Sequence, residues 1–211
     1  METTEINVLD YINYNSFITL TMFFISLIIV GLNYITHDKA NKYLFSTKRG
    51  SLLNPLTYIR LFTHILGHRD FKHFSNNYLK ILILGPLIEE KYGSELYLLM
   101  ILITAFVTGV VNSIKSDVSL RGASNISFML TVLSAFVNLT SNQIPLTLIL
   151  IIIFYVIDEI RDLNKDDNIA HYGHLTGAIC GGVFGFISMK PDLVENIVSK
   201  VNLITKMIFQ N

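Results

Sequence analysis

The sequence predicts an all-α membrane protein, a polytopic bundle of six transmembrane helices. Apolar residues make up 51% of the 211 residues and charged residues only 15%, whereas soluble domains carry about 25% charged residues. Several stretches approach the roughly 20 apolar residues that a helix needs to cross the hydrocarbon layer. The 16 basic residues balance the 16 acidic ones, so the net charge gives no reason to expect a nucleic-acid partner.

Uncharged apolar stretches predict five of the spans. We place them at 16–36, 96–114, 119–139, 143–160 and 168–189. The spans at about 119–139 and 143–160 come from one uncharged run, from Gly122 to Ile157, which the segment NLTSNQIP interrupts with polar and turn-forming residues. The last span is rich in glycine and contains two histidines.

The segment from His73 to Tyr92 is more polar than a typical span, because it holds a histidine, two asparagines, Lys80 and two glutamates. Such groups are costly in lipid unless they face the protein interior or a water-filled cavity. Hydropathy alone leaves two alternatives open, an interfacial helix outside the membrane core and a spanning helix with an inward polar face. The motifs described below favour the spanning helix, which brings the number of spans to six.

The chain divides into an N-terminal segment at 1–15, a membrane domain at 16–189 and a C-terminal tail at 190–211. In the tail, charged residues alternate with large apolar residues at helical spacing, which predicts an amphipathic surface helix. The acidic start METTEINVLD, with no A-x-A-like site after the first apolar stretch, argues against a signal peptide. The loop from 37 to 72 is rich in Lys and Arg, and the positive-inside rule would place it in the cytoplasm.

Two groups of polar residues at membrane depth can supply an oxyanion site and a nucleophile. His73 and Asn77 are four residues apart and therefore share one helix face. In the sequence RGASN, Gly122 and Ala123 permit a close backbone approach, and Ser124 is expected near a helix N-terminus, where free N–H groups favour a developing oxyanion. A serine there is also compatible with simple helix capping or packing. Ser124 can therefore be assigned as a nucleophile only if a general base is expected beside it.

A third group supplies that base. Gly177 and Gly181 form a GxxxG motif, which lets a membrane helix pack backbone to backbone against a neighbour. His174 lies three residues before Gly177 and is expected near the closely packed face. Imidazole has a pKa suited to removing a serine proton, without which serine is a poor nucleophile.

The three groups together predict nucleophilic catalysis. Ser124 is the predicted nucleophile and His174 the base, and His73 and Asn77 are the donors to the oxyanion. No carboxylate is expected to be well placed as a third member, so we predict a Ser-His dyad.

The ordered motifs HxxxHxxxxHxxxN, GxS and HxxGxxxG resemble those of the rhomboid intramembrane serine proteases, over most of the chain from about Leu44 to Met189. The resemblance implies a bacterial-type six-helix protease whose dyad is Ser124 and His174. It also implies an oxyanion hole made by His73, Asn77 and the backbone amide of Ser124, and supporting roles for Gly122, Gly177 and Gly181.

Further positions agree with the family or depart from it. Arg60 in YIRLFTH matches the family's loop arginine, Glu89 with Gly93 matches its ExxxG, and Phe128 stands where many members have a tyrosine against the catalytic imidazole. Asn125 replaces the last glycine of the family's GxSG, and Ile59 stands where many members have tryptophan. The asparagine is expected either to crowd the two helices that meet there or to add a polar contact.

The resemblance also sets expectations for topology and partners. It implies a cytoplasmic N-terminus, a loop around Arg60 outside the cell and a hydrated cavity open to that side. This orientation is opposite to the one that the positive-inside rule gives for the basic loop. The substrates would be transmembrane proteins in a lipid membrane, expected to be the bacterial cell membrane, with no cofactor, metal or nucleic acid. The segment from Asp158 to Asn168 either caps the cavity or is a solvated connector.

Two rival interpretations remain. One is an inactive rhomboid-like protein that binds transmembrane helices, supported only by Asn125. The other is a metal site, because His64 with His68 and His171 with His174 have spacings used for zinc. The single cysteine, Cys180, excludes an intrachain disulfide and a cysteine-based zinc cage, and HExxH is absent from the sequence.

Overall fold

The computed structural model describes residues 14–51, 53–115, 119–137, 139, 144–162 and 171–209. These residues form helices, and one isolated bridge pairs Thr47 with Leu120. The helices are α1 (Phe17–Ile35), α2 (Lys39–Leu44), α3 (Pro55–Thr63), α4 (Phe71–Tyr92), α5 (Ser94–Lys115), α6 (Ser124–Ser134), α7 (Leu146–Ile151), α8 (Ile157–Asp162), α9 (His171–Ser188) and α10 (Pro191–Phe209), with a π-helical segment (Ile152–Val156) joining α7 to α8. The predicted all-α class is confirmed.

Within the described ranges, two helices, α1 and α5, are long and apolar enough to cross a membrane on their own. A third candidate combines α9 with the start of α10, but the chain bends by 108° between the two. α4 has the length of a span, 22 residues, and carries the polar residues noted above. These helices agree with a membrane bundle, and the number of six spans stays a prediction.

Two predicted spans have different boundaries in the structure. The helix expected at 119–139 is only the 11-residue α6, because Leu120 is occupied in the bridge to Thr47 and Gly122 has a φ of +114°, which no helix contains. The helix expected at 143–160 starts after Pro145 and runs on to the end of α8. The first residues of the predicted cap at 158–168 are therefore helical, and those from 163 on lie outside the described residues.

α6 occupies the centre of the bundle, which explains how so short a helix fits a membrane domain. Its residues Ile126, Met129, Leu130 and Leu133 are all 0% exposed. α4, α5 and α9 pack around it. Its N-terminus, which carries the candidate nucleophile, is thereby held by three long helices.

Glu89 joins α1, α4 and α5 at one end of the bundle. Its carboxylate accepts hydrogen bonds from the backbone N–H of Ile18 at 2.9 Å and from the hydroxyl of Ser94 at 2.6 Å, and it also binds the hydroxyl of Ser16. A carboxylate at helix N-termini satisfies free N–H groups and complements the helix dipole. The supporting role expected for Glu89 is therefore the positioning of helices.

Candidate active site

The segment before α6 is held by two histidines, His64 and His68, which lie between α3 and α4. The backbone N–H of Gly122 donates to the carbonyl of His64 at 2.9 Å, and that of Ala123 donates to Nε2 of His68 at 3.3 Å. Gly122 adopts a positive φ that favours glycine. These contacts place Ser124 as the first residue of α6.

The GxxxG motif brings α9 into direct contact with the backbone of α6. A Cβ atom on Gly177 would lie 2.2 Å from the carbonyl oxygen of Asn125, and one on Gly181 would lie 2.4 Å from that of Met129. Only glycine permits this approach, as the spacing of the two residues predicts. The close packing sets the position of His174, which lies almost one turn before Gly177.

Ser124 and His174 meet between α6 and α9. Nε2 of His174 lies 2.8 Å from Oγ of Ser124, within hydrogen-bonding distance. The ring of Phe128 stacks on the imidazole with centroids 4.6 Å apart and an interplanar angle of 10°. The hydroxyl can therefore pass its proton directly to the imidazole.

His73 and Asn77 flank the same place from α4. Nδ1 of His73 accepts a hydrogen bond from the backbone N–H of Arg69 at 3.4 Å, which assigns the ring proton to Nε2. A Cβ atom on Gly122 would lie 2.9 Å from that Nε2 and 3.2 Å from Nδ2 of Asn77. Both donors therefore point at the backbone just before Ser124.

The side-chain amide of Asn77 is buried, and its Nδ2 has no hydrogen-bond partner among the described residues. A buried donor without a partner is costly. Such a group at a functional site is available for a ligand or for charge that develops during a reaction.

The expectation that no carboxylate stands near the imidazole is wrong. Oε1 of Glu159 lies 3.1 Å from Nδ1 of His174, and Oε2 of the same residue lies 2.7 Å from Nδ1 of His171. Glu159 lies where the sequence predicts the end of a helix followed by a cap or a connector, and its separation of 12 residues from His171 gives no sign that the two side chains meet.

Asn125 adds a polar contact rather than crowding the helices. Its side chain is 0% exposed, and its Nδ2 donates to Oγ1 of Thr108 on α5 at 2.6 Å. The atoms nearest to a Cβ on Gly177 belong to the backbone of Asn125. The residue that replaces the family's glycine is therefore accommodated on the side away from α9.

His64 and His68 are structural residues in this arrangement. Burial lowers the pKa of His64 to about 4 and that of His68 to about 3, so both rings are neutral at pH 7. Nδ1 of each ring lies within hydrogen-bonding distance of a backbone carbonyl, and Nε2 of His68 accepts from Ala123. Ring nitrogens that already contact protein groups are poor metal ligands. These contacts argue against His64 and His68 as a zinc site.

Two further residues, Arg60 and Ser127, take no part in the contacts between the reacting groups. Arg60 donates from Nε to the carbonyl of Tyr43 at 2.7 Å and so ties α3 to α2. Ser127, the next serine along α6, is buried, and its Oγ has no hydrogen-bond partner in the described part of the chain.

Lys80 was noted only as a costly charge, and the structure gives it aromatic neighbours. Its Nζ lies 5.8 Å from the ring centroid of Phe128 and 5.6 Å from that of Tyr155. Distances of this size allow a cation–π attraction. The lysine is thus accommodated beside the ring that stacks on His174.

Comparison with known families identifies a domain in this chain. The model of the Rhomboid domain matches residues 55–191, which is more than half of the chain. A search of curated proteins found no significant match. The matched region contains Ser124, His174 and both oxyanion candidates.

Proposed function

The chain belongs to the rhomboid family, and on this premise we propose that it is an intramembrane serine protease. It would hydrolyse peptide bonds in or near the transmembrane segments of other membrane proteins. The observation that supports this most directly is the 2.8 Å contact between Oγ of Ser124 and Nε2 of His174.

In the proposed reaction, His174 accepts the hydroxyl proton as Oγ of Ser124 attacks the carbonyl carbon of the scissile bond. The carbonyl oxygen becomes an oxyanion in the tetrahedral intermediate. The intermediate collapses when the imidazolium gives its proton to the leaving amine, which produces an acyl-enzyme. Water, deprotonated by the same imidazole, then hydrolyses the ester and regenerates the serine.

The oxyanion needs donors that are in place before the reaction. Nε2–H of His73 and the amide of Asn77, which is unpaired among the described residues, lie on the Gly122 side of the nucleophile. In our proposal they bind the oxyanion together with the backbone N–H of Ser124. The contacts of Gly122 and Ala123 with His64 and His68 keep this backbone in place.

Hydrolysis also requires water at membrane depth. Ser124 and His174 are only half-buried, and the side chain of His174 retains 13% of its exposure. Both therefore keep surface that the described part of the protein does not cover, at an opening that water would have to reach. We place this opening and the loop around Arg60 on the non-cytoplasmic side, with residues 1–15 in the cytoplasm, 16–189 as the membrane domain and 190–211 as a surface tail.

The alternative is a rhomboid-like protein that binds transmembrane helices without cutting them. Asn125, in place of the family's glycine, is the observation in its favour. The direction of its side chain, towards Thr108 and away from α9, weakens that argument.

The test is cleavage of a model single-span substrate by purified protein in liposomes, together with labelling by a fluorophosphonate. We expect wild-type protein to cleave and to be labelled, and Ser124→Ala and His174→Ala to lose turnover while remaining folded. Ser127→Ala is the matched control on the same helix and should keep wild-type activity. A wild-type protein that is neither labelled nor active, beside an active relative, would support the non-catalytic alternative.

A further inference from the structure

We propose that Glu159 is a positioning residue for the reaction, so that the site is a Ser-His-Glu triad rather than a dyad. Its carboxylate would hold His174 in the orientation and tautomer that serve Ser124. This inference rests on the proposed protease function.

The two nitrogens of His174 face two different partners. Nε2 lies 2.8 Å from Oγ of Ser124, and Nδ1 lies 3.1 Å from Oε1 of Glu159. A carboxylate beside Nδ1 keeps the ring proton on that nitrogen, which leaves the Nε2 lone pair free to accept the serine proton. It also stabilises the imidazolium that forms when the serine attacks.

The contact between Glu159 and His174 is short but not ideally aligned. Nδ1 of His174 makes no hydrogen bond of good geometry within the described residues, although Oε1 lies at 3.1 Å. Catalytic hydrogen bonds are often poorly aligned without substrate and become shorter and straighter when it binds. The geometry therefore fits a triad in its resting state.

A second histidine fixes the carboxylate itself. Nδ1 of His171 lies 2.7 Å from Oε2 of Glu159, and the His171 side chain is only 5% exposed. His171 and His174 are three residues apart on α9 and so project from neighbouring positions on one face. With one oxygen held by His171, the other oxygen of Glu159 is directed at His174.

The same three groups could in principle bind a metal, since their ligand atoms lie within 4.8 Å of one another. A tetrahedral zinc site with bonds near 2.0–2.1 Å separates its ligand atoms by about 3.3 Å. The observed separations of 2.7 and 3.1 Å run to two different oxygens of Glu159, so the carboxylate contacts each ring separately. The experiment includes an arm for the metal.

The experiment compares wild type with Glu159→Gln and Glu159→Asp, using kcat and KM for a model substrate in liposomes and the rate of fluorophosphonate labelling. Glu159→Gln keeps the shape and removes the charge, so kcat and the labelling rate should fall, by up to the roughly 10⁴-fold typical of changing a triad carboxylate to an amide. KM should stay within about twofold, since the carboxylate does not contact substrate. Glu159→Asp, which keeps the charge, should retain more activity than the amide, and exposed Glu90→Gln should behave as wild type.

The outcomes separate this inference from the function on which it rests. An active wild type with unchanged kcat in Glu159→Gln overturns the triad and leaves the protease intact. A wild type that neither cleaves nor is labelled overturns both. Activity that is lost on chelation and restored by zinc would make the three groups metal ligands and would also overturn the triad.

A measurement on wild-type protein removes the dependence on variant folding. In protein labelled with ¹⁵N-histidine, the triad requires His174 to carry its neutral-state proton on Nδ1. Detection of the Nε2–H tautomer for His174 would contradict the proposal even if every Glu159 variant failed to fold.

Discussion

At the scale of single residues, what a histidine does in this protein depends on what its two ring nitrogens face. Those of His68 face a backbone carbonyl and a backbone N–H, and the ring holds the loop before α6. Nδ1 of His73 faces an N–H, which leaves a donor on its other side. Nε2 of His174 faces the hydroxyl of Ser124. The sequence shows the same residue type at each position, and the neighbours assign the role.

The first prediction concerns the oxyanion donors. Asn77→Ala or His73→Ala should lower kcat by about 10²–10³, the usual effect of losing one oxyanion donor, with little change in KM. The measurement is steady-state cleavage in liposomes. Asn76→Ala is the matched control, because Asn76 is exposed on the same helix. Wild-type kcat in Asn77→Ala would remove that amide from the oxyanion hole.

The second prediction concerns Asn125. Asn125→Gly restores the family's usual motif but removes the hydrogen bond to Thr108. We expect thermal unfolding at lower temperature, corresponding to a loss of about 1–2 kcal/mol, since one buried hydrogen bond is lost, the Thr108 hydroxyl keeping its bond to the carbonyl of Thr104, and glycine is unfavourable in a helix. kcat should not rise, because the side chain points away from α9. A faster variant would mean that the asparagine restrains the site.

At the scale of helices, the geometry of the site depends on how closely α9 approaches α6. The carbonyl oxygens of Asn125 and Met129 occupy the space where side chains of Gly177 and Gly181 would lie. Protein interiors are packed too densely to absorb an added methyl group at such distances. The separation of these two helices therefore fixes the separation of the hydroxyl and the imidazole.

The third prediction tests this packing with two neighbouring glycines. Gly177→Ala should destabilise the protein by about 1–3 kcal/mol, the usual cost of overpacking, and should lower kcat by moving His174. Gly182→Ala is the control, because its Cβ would meet only Cγ1 of Val132 at 4.0 Å. Alanine there should be neutral or slightly stabilising through its helix propensity. Equal melting temperatures and activities for the two variants would contradict the close-packing argument.

At the scale of the whole molecule, the loop between α1 and α4 and the candidate site lie at one end of the bundle. Thr47 pairs with Leu120, and the guanidinium of Arg121 binds the carboxylate of Asp38 at 2.8 Å. The basic loop and the opening to Ser124 must therefore face the same side of the membrane. The positive-inside rule and the family resemblance give opposite answers for that side.

The fourth prediction addresses orientation and the number of spans together. In a Cys180→Ser background, we expect a cysteine at exposed Lys48 to react with an impermeant maleimide added outside intact cells. A cysteine at exposed Glu195, after α9, should react only in inverted vesicles, as should one in residues 1–15. Six spans place both ends on one side, so labelling of the two ends from opposite sides would contradict the even number.

Much of the fold follows from local pattern. Apolar runs predicted where α1, α5 and α9 lie to within a few residues, and the motifs at its start and end did so for α4. The short α6 was predicted too long, because the bridge of Leu120 to Thr47 involves residues far apart in sequence. Periodicity describes what a segment prefers, and such long-range pairing overrides it.

The sequence by itself determined the membrane class, the helical bundle and the candidate chemistry of Ser124, His174, His73 and Asn77, because hydropathy and motif spacing are properties of the chain read locally. Only the tertiary structure decided that Glu159 stands behind His174 and that Asn125 turns towards Thr108. Both contacts join side chains on different helices. Which side chains meet there is set by how the helices pack, and sequence spacing carries no record of that packing.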